Sequence, residues 1–128
     1  MKRILSIVAM VMVMFFAVNP SNADESDAIV KEVEVYCKIA SNNVPSLFDI
    51  CVDMQVQGIS RITEVMEKYK LDSTKKENYT ELQSAIVYAI NECGEASTKY
   101  GLTNYYQTAE CIDFMLEDAK RSGYNIEP

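Results

Sequence analysis

The sequence predicts an all-α protein, a small antiparallel four-helix bundle made of two disulfide-stapled helical hairpins. Three observations predict it. Apolar residues recur at alternating steps of four and three along four stretches. No segment alternates apolar and polar residues with period two over the length of a strand. Cysteines 37, 51, 93 and 111 fall one to each periodic stretch. A chain of 128 residues, 48% hydrophobic and 24% charged, suits a single small domain.

The first segment reads as an address. Lys2 and Arg3 precede an apolar run, Ile4–Val18, broken only by Ser6. Asn19 and Pro20 end the run, and Ser21-Asn22-Ala23 places small residues before a cut. Residues 1–23 are therefore expected to be a cleaved signal peptide. The run holds about 15 residues, short of the roughly 20 that cross a bilayer as a helix. No stable membrane anchor is expected after cleavage, and 24–128 should form one helical domain with hairpins at 26–70 and 79–122. The compact leader suggests a bacterial protein, periplasmic or secreted.

The first helix is expected over about Ser26–Ala40. Asp24, Glu25 and Asp27 place negative charge where the helix dipole favours it, and Ile29, Val33, Tyr36, Cys37 and Ala40 share a face. Ser41-Asn42-Asn43-Val44-Pro45 breaks it. Ser46 with Asp49 resembles a capping box for a second helix over about Leu47–Lys70. Its stripe is Phe48, Val52, Gln55, Ile59, Ile62, Met66 and Tyr69, with one polar member. Gly58 costs about 1 kcal/mol against alanine in a helix interior and implies either a close crossing or a kink. Glu64 and Lys68 form an i,i+4 pair of favourable orientation.

Leu71–Asn78 is polar and reads as the linker between the halves. Thr80 with Gln83 can cap the third helix, and Thr74 with Glu77 offers an earlier start. Leu82, Ile86, Ala89, Cys93 and Ala96 form its stripe, and Gly101 is the natural residue to end it. Asn104 with Gln107 opens the fourth helix, whose stripe is Tyr105, Ala109, Ile112, Leu116 and Ala119. Lys120 and Arg121 suit its last turn and Gly123 its end.

Four cysteines in a small exported chain read as two disulfides. Residues level across a helical hairpin lie equally far from its turn. Cys37 and Cys51 satisfy this across the first turn, and Cys93 and Cys111 across the second. The spacing predicts those pairs over the alternatives that tie hairpin to hairpin. The phrases Cys51-Val52-Asp53-Met54 and Cys111-Ile112-Asp113-Phe114 hint at a duplicated hairpin, although any amphipathic helix can show them.

Composition excludes much chemistry. There is no His, so no Ser-His-Asp or Cys-His nucleophile and none of the commonest metal ligand. The cysteine gaps of 13, 41 and 17 residues do not suit zinc, and no C-x-x-C redox motif occurs. Four glycines leave little room for a phosphate-binding loop. A formal charge of −7, made more negative by loss of Lys2 and Arg3, opposes nucleic-acid binding. Carboxylate pairs remain at Asp49/Asp53 and Asp113/Glu117, and both read better as solvated faces than as a hydrolase pair. Met54, Met66 and Met115 read as packing rather than soft-metal ligands. No catalytic residue, metal or cofactor is expected.

Tyr100, Tyr105 and Tyr106 surround one turn beside Asn104, and Asn42 and Asn43 occupy the other. Tyrosine combines apolar area with a polar tip, so these six residues form a candidate interaction edge. The expected role is non-catalytic binding of a protein partner, in line with an inhibitor, and the acidic charge would speed association with a basic one. A periplasmic chaperone or envelope stress or assembly factor, or a carrier of a small hydrophobic ligand, is the alternative; a homodimer is compatible with any of these. In general layout the chain is similar to the small exported immunity proteins of the Rap/Tai kind, which neutralise peptidoglycan amidases delivered by type VI secretion. That likeness carries no residue over and implies only the inhibitor role.

Overall fold

The computed structural model describes residues 22–128, with side chains from Asp27 onward. The expected signal peptide, residues 1–23, lies outside the described residues except for its last two positions. Four helices follow one another: α1 Asn22–Ala40, α2 Pro45–Lys68, α3 Glu81–Ala96 and α4 Tyr105–Arg121. A single 3₁₀ turn, Lys76–Asn78, interrupts the connection between α2 and α3.

α1 begins four residues before the expected Ser26; among the other three helices the starts follow the local chemistry, with one exception. Thr80 and Gln83 form a reciprocal capping box at α3. Asn104 Oδ1 accepts the Gln107 N–H at α4. The exception is α2, where no Ser46 capping box forms. Pro45 takes the first helical turn and Val44 precedes it without a side-chain cap. Proline has no N–H to satisfy there and its φ is already helical, so α2 starts two residues earlier than the cap pattern suggests.

Three helices close on the same device. The two residues beyond each helix cap reach back to carbonyls of its last turn: Asn42 and Asn43 to Ile39 and Lys38, Lys70 and Leu71 to Glu67 and Met66, Gly123 and Tyr124 to Lys120 and Ala119. This satisfies carbonyls that the helix would leave open, and it requires a left-handed residue just past the cap. Asn42, Lys70 and Gly123 hold it, at φ 51°, 57° and 90°.

The turn between α3 and α4 corrects the expectation at Gly101. α3 ends earlier, at Ala96, with Ser97 as its cap. Thr98–Lys99 and Leu102–Thr103 then pair as a two-residue antiparallel ladder. Tyr100 and Gly101, at φ 57° and 71°, form its tip. Positive φ at both central residues suits the right-handed twist of a two-residue hairpin loop. The chain therefore contains a minimal β-hairpin, too short for an alternating pattern to register.

Cys37–Cys51 and Cys93–Cys111 are disulfide-bonded, each with its Cα atoms 5.6 Å apart. Both pairs close their own hairpins. One core cluster gathers Val30, Val33, Cys37, Val52 and Ile59, with Phe48 and Tyr105 packed on it. A second gathers Tyr69, Leu71 and Ile86, with Val65, Met66, Leu82 and Leu116. Most of the expected stripe positions are buried or half-buried; Ala40 and Ala96, at the helix ends, are exposed.

The hairpins meet mainly through α2 and α4. These helices run parallel: Gln55 meets Asn104, Gly58 meets Tyr105, and Arg61 meets Glu110 and Asp113. Each hairpin is antiparallel within itself, and the seam between them is not. Gly58 explains how the seam closes. A Cβ there would lie 2.4 Å from backbone atoms of Tyr105 and Tyr106, so the glycine serves a close crossing.

Candidate functional site

A polar network pins the start of α4 to the first hairpin. Gln55 on α2 is 3% exposed. Its side-chain amide donates to Asn104 Oδ1 at 3.1 Å, and its Oε1 accepts the Tyr105 N–H at 2.7 Å. Asn104 Nδ2 donates to the Tyr36 hydroxyl of α1 at 2.7 Å. The Tyr105 hydroxyl donates to Glu32 at 2.6 Å. Burial, with the hydrogen bond to Glu32, pushes the Tyr105 phenol well above its usual range. The one polar member of the α2 stripe is thus buried because it has partners, as burial of an amide demands.

Beside this network an open cleft of about 290 Å³ lies between α1, α2 and the start of α4. Tyr36, Leu47, Ile50, Met54, Asn104 and Tyr106 contribute to its lining. Leu47, Ile50 and Met54 are exposed, Ile50 at 57%. Their exposure belongs to a wider pattern. Val35, Ile39, Val44, Leu47, Ile50 and Met54 are the exposed large aliphatic residues among those described, and all lie on the first hairpin. The exposed large aromatics, Tyr88, Tyr100, Phe114 and Tyr124, lie on the second hairpin and its tail.

The six predicted edge residues divide. Asn104 and Tyr106 line the cleft. Asn42 and Asn43 are exposed next to its wall residue Ser41, and both have a conformational role in ending α1. Tyr105 is packed on the core of the first hairpin. Tyr100 stands exposed at the β-turn, with Lys99 Nζ 5.2 Å from its ring centre. Leu47, Ile50, Met54, Gln55 and Tyr36 were not in the predicted set. The available signal was three apolar residues lying off the buried stripe of α2.

Arg61 sits on the α2–α4 seam. It bonds Glu110 at 2.7 Å and Asp113, and its guanidinium lies 5.8 Å from the Tyr106 ring centre. The hydrogen bond from Arg61 holds the Glu110 carboxyl below its ordinary range. Asp113 is thereby engaged with a cation. Asp49 and Asp53 are exposed on α2.

A second cleft, of about 430 Å³, lies between α3, α4 and the tail. It is lined mainly by apolar side chains, among them Leu82, Ala85, Ala89, Met115, Leu116 and Ile126. The tail is tied down where the Tyr69 hydroxyl donates to the Ile126 carbonyl at 2.8 Å. Among the described residues no group of three His, Cys, Asp or Glu side chains is placed to hold a metal ion. Met66 packs in the second core cluster, and Met115 Sδ lies 3.4 Å from Cys93 Sγ, so both have packing roles.

Among the described residues no helix is long and apolar enough to cross a membrane. The two disulfides are compatible with an extracellular or periplasmic setting. No family model matches the chain, and neither the curated proteins nor the solved structures give a match to it.

Proposed function

We propose that this chain is an exported, non-catalytic binding module of the inhibitor or immunity type. It engages a protein partner through the cleft between α1, α2 and the start of α4. The observation that carries this reading is the exposed group Leu47, Ile50 and Met54 beside Tyr36, Asn104 and Tyr106. Apolar side chains next to aromatic and amide groups make a surface that gains by losing water and still specifies orientation. The adjoining disulfide and hydrogen-bond network hold it rigid, which lowers the entropy lost on binding. In this reading the two hairpins act as one small four-helix bundle whose purpose is to present that face.

The test is capture from the native host's periplasm on the immobilised, oxidised full chain. One stoichiometric partner is expected, lost with Ile50→Asp and retained with Phe114→Asp, both variants keeping the native melting curve. A broad set of weak clients, indifferent to Ile50, would instead assign a chaperone or envelope-assembly role. The apolar cleft between α3 and α4 supports a second reading, carriage of a small hydrophobic ligand, because clefts of this size and lining suit such molecules. Native mass spectrometry after gentle purification tests it: a bound mass lost in an Ala89→Phe variant supports carriage, and apo protein from native host material opposes it.

A further inference from the structure

We infer that the occupant of the cleft is an amphipathic helix with a basic flank, continuing on α2 the track that α4 already occupies. This rests on the protein-binding reading and specifies its partner.

The track is visible in the spacing. Leu47, Cys51, Met54, Gly58, Arg61 and Val65 lie at steps of four and three along α2, and so share one helical face. From Gly58 onward α4 covers that face: its backbone touches the Gly58 position and its carboxylates meet Arg61. α4 begins at Tyr105, opposite Gln55 and Gly58. Toward the start of α2 the bond from Cys51 to Cys37 of α1 borders the track, and α4 does not reach it, so Leu47 and Met54 stay exposed. The uncovered stretch from Leu47 to Met54 is about 10 Å, two helical turns. The apolar row thus extends the face that α4 packs on, with α1 as its other wall, and a helix is the element that fits such a row.

Charge decides which helix. Asp53 borders the apolar row, since it lies three residues beyond Ile50, and Asp49 lies one turn behind Asp53 on the same side of α2. Both are exposed, and neither is within ion-pair distance of a cation among the described residues. A helix lying on Leu47, Ile50 and Met54 would set one flank toward Asp53, with Asp49 adding its field from one turn behind. Lysine or arginine there is favoured and glutamate or aspartate is repelled. The same argument disfavours a second copy of this chain as the occupant. Pairing two copies through this face would oppose Asp49 and Asp53 to their equivalents, in a chain of formal charge −7.

Synthetic helical peptides of about four turns test this against the oxidised full chain. One carries leucines on a single face with flanking lysines, a second has glutamates for the lysines, and a third scrambles the first. The lysine peptide is expected to bind and to shift the NMR signals of Leu47, Ile50 and Met54. Asp49→Asn with Asp53→Asn should weaken it at least tenfold and flatten its salt dependence. Equal binding of the glutamate or scrambled peptide, or shifts elsewhere on the surface, overturns the inference. A photocrosslinker at Ile50 in the native host separates this from the parent reading. A crosslink to a basic helical segment supports the inference. A crosslink to a strand, a loop or an acidic segment overturns it while leaving protein binding intact. Absence of any protein crosslink, or crosslinks only between copies of this chain, overturns both.

Discussion

A Cβ atom on Gly58 would stand 2.4 Å from the carbonyl carbon of Tyr105. The start of α4 is backbone at that point, so no flexible side chain can move aside. Alanine is the better helix former by about 1 kcal/mol, yet overpacking against fixed backbone costs about 1–3 kcal/mol. Gly58→Ala is expected to destabilise the protein, with a lower midpoint in urea and an unchanged slope. A stabilised variant would show that α2 and α4 do not cross here.

Gln55 satisfies two groups at that crossing, the Tyr105 N–H and the Asn104 side chain. Gln55→Ala leaves the Tyr105 N–H unpaired beside a cavity and takes one of two donors from Asn104 Oδ1, and a loss of about 1–3 kcal/mol follows from the unsatisfied N–H. Amide exchange at Tyr105 should quicken more than at Ile112, which sits two turns inside α4. Uniform quickening would mean that the network does not anchor the helix start.

Loop-entropy arguments assign each disulfide about 3 kcal/mol. Cys37→Ala with Cys51→Ala, and Cys93→Ala with Cys111→Ala, should each lower stability by amounts of that order. The cleft is lined by Cys51. Loss of the first bridge should therefore weaken partner binding beyond its effect on folding, whereas loss of the second should act through folding alone. Denaturation and binding measured on both double variants check this.

Tyr105 and Glu110 each make stability depend on pH. The Tyr105 phenol is raised by burial and by Glu32, so its contribution is complete below the ordinary phenol pKa of about 10 and is lost as pH rises through the higher folded value. Tyr105→Phe should flatten the alkaline limb of the stability curve while lowering its plateau. The Glu110 carboxyl is lowered by Arg61, so its contribution is present above the ordinary carboxylate pKa and disappears as pH falls through the depressed folded value. NMR titration should show the Glu110 midpoint return upward in Arg61→Gln. A midpoint unmoved by that substitution would show that the pair does not persist in solution.

Much of the architecture was legible because it rests on local rules. The steps of four and three along Val52, Gln55 and Ile59, or Ala109, Ile112 and Leu116, follow from the pitch of the helix. The caps at Thr80 and Asn104 need only a side chain that reaches three residues ahead. The cysteine pairs were readable because antiparallel helices place residues equidistant from a turn side by side. Sites were less legible. Asn104 and Tyr106 reach the cleft, but Leu47 and Ile50 went unnoticed and Met54, read as packing, stands exposed there, since an exposed apolar residue and a buried one look alike in a one-dimensional pattern.

Periodicity, caps and cysteine spacing thus determined four helices and two staples, because each depends on contacts within a hairpin. Tertiary structure alone decided that α2 and α4 lie side by side and parallel, that Gly58 marks a crossing, and that the cover over α2 stops at Tyr105. Those facts depend on how one hairpin settles on the other. The choice is made by the shape of backbone at one glycine and by hydrogen bonds spanning some fifty residues of sequence, which no local spacing encodes.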